Sequence, residues 1–129
     1  MEKIEWSESF SVGNAKLDEQ HKTIIKMINK LVTHDERSND SETVHVILNE
    51  MMRYCIDHLT YEEQLMDRYD YADKINHKYL HVKYIEKFSD LSMQAMRAGD
   101  DVSPELTSFL SDWWVNHILV EDMKYKGSL

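Results

Sequence analysis

Apolar residues recur every three or four positions along four separate stretches of the chain, a spacing that places them on one face of a helix. Several polar residues occupy positions of these apolar faces. A buried imidazole or carboxylate without a partner is costly, so a group of them directed into one core needs a common reason. The residues are His21, His58, Glu62, His77, His81 and His117.

The four stretches span residues 17–31, 44–65, 77–95 and 106–120, and each predicts a helix with one buried face. The positions expected on these faces include Leu65 in the second stretch and Trp113 and Val120 in the fourth. Three glycines and one proline in 129 residues leave little material for hairpins, and the length suits one domain. Helices joined by short links favour an all-α, up-down-up-down antiparallel four-helix bundle. The predicted boundaries are a capping box at Asn39 and Glu42, a turn at Asp70 and Tyr71, an end before Gly99, and an N-cap at Ser103 followed by Pro104.

The first 13 residues differ from the rest because their apolar side chains lack helical spacing. Trp6, Phe10 and Val12 lie in this stretch, and Gly13 with Asn14 marks its end. We therefore expect residues 1–13 to form an ordered arm that packs its aromatic side chains on a bundle formed by residues 14–129.

Composition restricts the possible functions. The formal charge of −9 argues against a nucleic-acid surface, which needs clustered Lys and Arg. The N-terminus lacks the features of a signal peptide, and no run approaches the roughly 20 apolar residues of a membrane span. Cys55 is the only cysteine, which excludes an internal disulfide and a thiolate metal cluster. These features predict a cytoplasmic protein.

The polar positions on the apolar faces predict a metal centre. Residues four apart share a helix face, so His77 with His81, and His58 with Glu62, can each bind one ion. A zinc site usually stops at four ligands, whereas this set is larger and nitrogen-rich. Two ions of higher coordination number, such as iron or manganese, fit it better.

The last helix offers two candidates for a second carboxylate. Glu121 follows His117 by four residues and Asp122 follows it by five. At about 100° per residue in an α-helix, Glu121 is displaced from His117 by roughly 40° and Asp122 by roughly 140°. Regular helical geometry therefore favours Glu121.

The order H…HxxxE…HxxxH…HxxxxD, with the strings GNAKLDEQHK, HLTYEEQLM and DWWVNH, resembles the hemerythrins, and specifically the single-domain bacteriohemerythrins. The resemblance covers nearly the whole chain and favours Asp122 over Glu121. It implies a four-helix bundle around a non-haem di-iron centre that binds O2 reversibly. It assigns His77, His81 and His117 to one iron, His21 and His58 to the other, and Glu62, Asp122 and an oxo or hydroxo group as bridges.

Under this assignment, two octahedral irons offer about twelve positions, and one position stays open on the iron with two histidines. By family position, the residues of the O2 pocket are Ile24, Leu59, Trp113, Trp114 and Ile118. Two of them depart from the family pattern: Leu59 stands where Phe is typical, and Trp114 where Leu is typical. The two departures exchange a large and a small residue, so the pocket volume could be roughly kept.

Four further residues have simpler interpretations. Tyr84 stands where the family often has Phe, and core packing explains it. Cys55 is interpreted as a small core residue rather than a ligand. His34 and His45 fall off the apolar faces and are expected to face solvent.

The predicted function is reversible O2 binding for storage, delivery or buffering, without enzymatic activity. O2 is the predicted ligand, and a protein that receives it is not identified by the sequence. The alternatives are an oxygen or redox sensor that acts through a partner, and a di-iron oxidase or peroxidase.

Overall fold

The computed structural model describes residues 3–33, 41–98 and 104–129. Consecutive helices pack on each other and the first also packs on the fourth, which closes a four-helix bundle and confirms the all-α prediction. Within the described residues, every helix is too short or too polar to span a lipid bilayer. The helices are α1 (Ala15–Val32), α2 (Ser41–Arg68), α3 (Lys74–Ala98) and α4 (Pro104–Asn116). A π-helical turn (His117–Glu121) and a 3-10 turn (Asp122–Tyr125) extend α4, and another 3-10 turn (Glu8–Phe10) precedes α1.

Local hydrogen bonds define the ends of the helices. Asn14 caps α1, because its side-chain oxygen accepts from the Leu17 N–H at 3.0 Å. Between α2 and α3, Asp70 adopts a φ of 50°, a left-handed conformation that Asp tolerates better than most residues. The N-caps predicted at Asn39 and Ser103, and the glycine predicted to follow the third helix, Gly99, lie outside the part of the chain that the structure describes.

The N-terminal segment packs on the bundle through backbone and aromatic contacts. The Ile4 N–H donates to Asn29 Oδ1 at 2.8 Å, and Asn29 Nδ2 donates back to the Ile4 carbonyl at 2.8 Å. Trp6 stacks on Phe10 with ring centroids 5.6 Å apart, and Phe10 and Val12 are buried. The division of the chain after residue 13 stays a prediction.

The buried faces differ from the predicted ones near two helix ends. Met66 is fully buried and Leu65 only partly, and Trp114 is fully buried while Trp113 is partly exposed. Alternating steps of three and four average 3.5 residues, whereas an α-helix has 3.6, so the long face of α2 drifts from Leu65 to Met66. The face of α4 is too short for this drift to explain the exchange of Trp113 for Trp114. Val120 was predicted to be buried and is 47% exposed, because the π-helical turn changes the facing of the residues after His117.

Candidate metal centre

Seven ionisable side chains meet in the middle of the bundle. They come from α1, α2, α3 and the turns that extend α4, so all four helical segments of the bundle contribute to the site. Each is at most 3% exposed. The seven are the residues that the family resemblance indicated: His21, His58, Glu62, His77, His81, His117 and Asp122.

The histidines form two groups. His77, His81 and His117 make a three-histidine group, and each offers a ligand atom within 4.8 Å of the others and of Glu62. His21 and His58 make a two-histidine group that meets Glu62 within the same limit. Glu62 therefore belongs to both groups, which is what a carboxylate between two ions requires.

Both carboxylates span the two groups. Glu62 Oε1 lies 2.8 Å from His77 Nε2 and 3.1 Å from His81 Nε2, while its Oε2 lies 3.5 Å from His58 Nε2. Asp122 Oδ1 lies 3.0 Å from the Nε2 atoms of His77 and His117. The other oxygen, Asp122 Oδ2, lies 3.2 Å from His21 Nε2. Each carboxylate thus directs one oxygen to each group.

The π-helical turn explains why Asp122 and not Glu121 reaches the site. The Asp122 N–H donates to the carbonyl of His117, five residues earlier, so this turn holds one residue more than an α-helical turn. Asp122 is fully buried, whereas Glu121 Oε2 pairs with Lys124 Nζ at 3.0 Å near the surface. The preference of regular helical geometry for Glu121 was therefore wrong, because the helix is not regular there.

The polar atoms at the centre fit a metal better than they fit each other. Among the described residues, His21 Nε2, His58 Nε2 and both oxygens of Asp122 are buried, and none of their close contacts has the geometry of a hydrogen bond. His81 Nε2 and His117 Nε2 face each other at 3.2 Å. Two nitrogens each about 2.1 Å from one ion at right angles would be about 3.0 Å apart. The donor set and its spacing therefore suit metal binding.

Electrostatics in the cluster also favour a cation. Burial opposes the ionised form of Glu62, as does the Asp122 carboxylate, yet hydrogen bonds from His77 and His81 bring the pKa of Glu62 to about 2. Burial lowers the pKa of His77, but its contacts with Asp122 and Glu62 outweigh that effect and raise it to about 10. Burial, followed by the nearby His21, lowers the pKa of His58 to about 3. Two buried carboxylates thus attract positive charge, which a metal can provide while the imidazoles bind it in neutral form.

A second layer of hydrogen bonds orients the cluster. His58 Nδ1 donates to Gln20 Oε1 at 2.7 Å, and His81 Nδ1 donates to Glu63 Oε2 at 3.0 Å. These bonds hold a proton on Nδ1, so that in the neutral ring the lone pair of Nε2 can bind a metal. The Tyr125 hydroxyl donates to Glu62 Oε2 at 2.9 Å. The sequence interpretation missed these three partners, although Gln20 directly precedes His21 and Glu63 directly follows Glu62.

Apolar and aromatic side chains surround the cluster. Ile24, Leu59, Trp114 and Ile118 are buried, and the Trp114 ring centroid lies 5.8 Å from that of His58 and 6.4 Å from that of His21. Trp113 is partly buried and stacks on His117, with centroids 4.2 Å apart and planes 13° apart.

The remaining residues singled out in the sequence lie outside the cluster. Cys55 is fully buried, and its Sγ lies 3.6 Å from the Tyr84 hydroxyl. His45 is partly exposed in a groove between α2 and α3, and His34 lies outside the described residues.

A four-helix bundle whose four helical segments direct buried histidines and carboxylates to one site defines a helical metal-binding protein. The sequence model of the hemerythrin HHE cation binding domain matches residues 12–129, and the chain therefore belongs to the hemerythrin family. This confirms the family resemblance indicated by the motifs.

Known relatives are similar over nearly the whole chain. A bacteriohemerythrin of Pseudomonas aeruginosa is 32% identical over 126 residues, which cover 97% of this chain and 80% of the relative. A myohemerythrin of Theromyzon tessulatum is 34% identical over 128 residues, which cover 99% and 95%. A crystal structure of wild-type hemerythrin superposes with a TM-score of 0.85 at 30% identity and covers 98% of this chain and 97% of its own.

Proposed function

We propose that this chain binds O2 reversibly at a non-haem di-iron centre and serves in oxygen storage, delivery or buffering. The observation that carries the proposal is the unequal division of the cluster. Glu62 and Asp122 each contact both groups, but one group has three histidines and the other has two. The two-histidine group is one protein ligand short, which leaves room for a small exogenous ligand.

The donor set supports iron as the metal. Three histidines and two shared carboxylates give one group five protein ligands, more than the four at which a zinc site usually stops. Imidazole and carboxylate together suit iron. Iron bound there would supply the reversible redox chemistry that O2 binding requires. We assign the seven buried residues as the metal ligands, with His77, His81 and His117 at one iron and His21 and His58 at the other.

The chain's own residues would hold and protect this centre. Gln20 and Glu63 fix the rings of His58 and His81, so the imidazoles need little rearrangement when the metal binds. We assign Ile24, Leu59, Trp113, Trp114 and Ile118 as the lining of the O2 pocket. Four of these side chains are buried and would keep water from the centre: Ile24, Leu59, Trp114 and Ile118. Exclusion of water favours release of unchanged O2 over oxidation of the metal.

Carriage rather than catalysis is our proposal for this pocket. Glu63 and Tyr125, two titratable neighbours of the cluster, are each hydrogen-bonded to one of its members. These hydrogen bonds occupy the groups that could otherwise exchange a proton with a substrate. The lining is apolar, which suits a diatomic gas better than a polar organic substrate. A cytoplasmic location stays a prediction from the sequence.

The test begins with metal analysis after expression with ample iron, and we expect two irons per chain. The protein is then reduced without oxygen and exposed to O2 while its optical spectrum is recorded. A carrier gives a stable coloured adduct that disappears under vacuum and returns with O2. Fewer than one iron per chain, or prompt conversion to the ferric state with consumption of a reducing substrate, would contradict the proposal.

A further inference from the structure

We infer that Tyr84 is a positioning residue that selects the ligand of the pocket. The Tyr84 hydroxyl accepts a hydrogen bond from the indole N–H of Trp114 and so keeps this N–H directed away from the two-histidine group. As a result, the site favours an apolar diatomic gas over small anions. This inference rests on the proposed function and adds to it the means by which the pocket distinguishes ligands.

The Trp114–Tyr84 hydrogen bond is short and buried. Trp114 Nε1 donates to the Tyr84 hydroxyl at 2.7 Å, and the two side chains are 0% and 1% exposed. A buried indole N–H without an acceptor is costly, so the position of this hydroxyl sets the orientation of the indole ring.

The Tyr84 hydroxyl is itself held in place. Its ring stacks on Trp113 with centroids 4.1 Å apart and lies 5.8 Å from Phe88 and 5.7 Å from Phe109. The Sγ of Cys55, a residue of α2, lies 3.6 Å from the hydroxyl oxygen of Tyr84. A side chain packed in this way has little freedom, so the acceptor offered to Trp114 is fixed.

The orientation of Trp114 has a chemical consequence for the pocket. The indole lies 5.8 Å from His58 and 6.4 Å from His21 between ring centroids, so it borders the proposed ligand position. Its N–H is the one hydrogen-bond donor of its side chain, and Tyr84 occupies it. The side chains of Ile24, Leu59 and Ile118 carry no donor at all, and the remaining lining residue, Trp113, stacks on His117 of the three-histidine group. O2 can bind beside such a surface without a donor, whereas an anion loses hydration there without compensation.

Removing the acceptor should therefore change which ligands bind. In Tyr84→Phe the indole N–H is left without a partner, and it gains from turning toward an anion in the pocket. Trp114→Leu removes the donor and so should remove the effect. Tyr79→Phe is the matched control, because Tyr79 is 56% exposed on the same helix.

The probe is azide, titrated optically into the iron-loaded ferric protein. We expect Tyr84→Phe to bind azide about tenfold more tightly than the unmodified protein, the contribution of one net hydrogen bond. We expect Trp114→Leu and the double variant Tyr84→Phe/Trp114→Leu to bind azide equally, and Tyr79→Phe to match the unmodified protein.

Ultraviolet resonance Raman spectra provide a second readout that does not depend on ligand binding. The band that reports indole hydrogen bonding should shift in Tyr84→Phe, and the same substitution should cause no further shift in the Trp114→Leu background. An azide affinity within twofold of the unmodified protein in Tyr84→Phe, or a tenfold gain that persists without Trp114, overturns the inference. The proposed function fails differently, because the unmodified protein would then lack two irons or a reversible O2 adduct.

Discussion

The backbone N–H of Asp122 donates to the carbonyl oxygen of His117, five residues earlier in the chain. This single wide turn brings the Asp122 carboxylate onto the side of the helix that carries His117, where Oδ1 lies 3.0 Å from His117 Nε2. π-helical turns are uncommon in proteins, and those that occur are often found at functional sites. Here the turn converts a position that regular geometry directs away from the core into one that faces it.

We predict that Asp122 is required for metal binding and that Glu121 is not. Asp122→Ala removes the carboxylate that contacts His21, His77 and His117, so the iron content should fall below two per chain. Metal analysis of the purified protein measures this directly. Glu121→Ala is the control, because Glu121 pairs with Lys124, and it should retain two irons. Full iron in Asp122→Ala together with a loss in Glu121→Ala would reverse our assignment.

The hydrogen bond from His58 to Gln20 should increase metal affinity. Gln20→Ala leaves His58 Nδ1 without its acceptor at 2.7 Å, so the ring loses its fixed orientation. Loss of such a partner typically costs about 10- to 100-fold in metal affinity. Competition with a chelator, followed optically, measures the change. Gln64→Ala at an exposed position of α2 is the control and should behave as the unmodified protein.

Leu59 should protect the bound O2 from water. It is 3% exposed and lies at an apolar groove of about 350 Å³ between α2 and α3, which also reaches His81. Leu59→Ala opens a passage from this groove, so we expect two irons to stay bound and the O2 adduct to decay faster to the ferric state. Burial also predicts a stability loss of about 2–5 kcal/mol.

The decay is measured as the loss of the adduct's optical absorption at constant temperature. Ile56→Ala is the control, because Ile56 lines the same groove but is 44% exposed. Equal lifetimes in Leu59→Ala and Ile56→Ala would show that Leu59 does not limit access.

The buried thiol of Cys55 should make the free energy of unfolding decrease at alkaline pH. Burial raises the pKa of the Cys55 thiol from its ordinary value of 9.0 to about 12, despite a hydrogen bond with Tyr84 that lowers it. The folded state therefore favours the neutral thiol, and its contribution to stability is complete below pH 9. Between pH 9 and 12 the unfolded chain releases this proton first, so stability falls by up to about 1.4 kcal/mol per pH unit.

Chemical denaturation at several pH values compares the unmodified protein with Cys55→Ala. The variant loses some packing at every pH but should lack this part of the alkaline decline. Parallel curves for the two proteins above pH 9 would contradict the raised pKa.

The sequence predicted the four helices and six members of the cluster because both depend on one simple rule. A helix that buries one face repeats about every 3.6 residues, so all six could be placed on that face by counting: His21, His58, Glu62, His77, His81 and His117. The bundle followed from four such faces and short links. Counting was less accurate near the helix ends, where Met66 is buried in place of Leu65 and Trp114 is more deeply buried than Trp113.

The tertiary structure alone decided the features that depend on how the helices are turned against one another. The pairing of Trp114 with Tyr84, and of His58 with Gln20, joins residues 30 and 38 positions apart, and no periodicity within one helix encodes it. Asp122 reached the cluster through a departure from α-helical hydrogen bonding, and only the family resemblance had indicated it. The sequence by itself thus determined which faces are buried, because burial follows local spacing. The contacts within the core were fixed by packing between helices, because they depend on distances across the bundle.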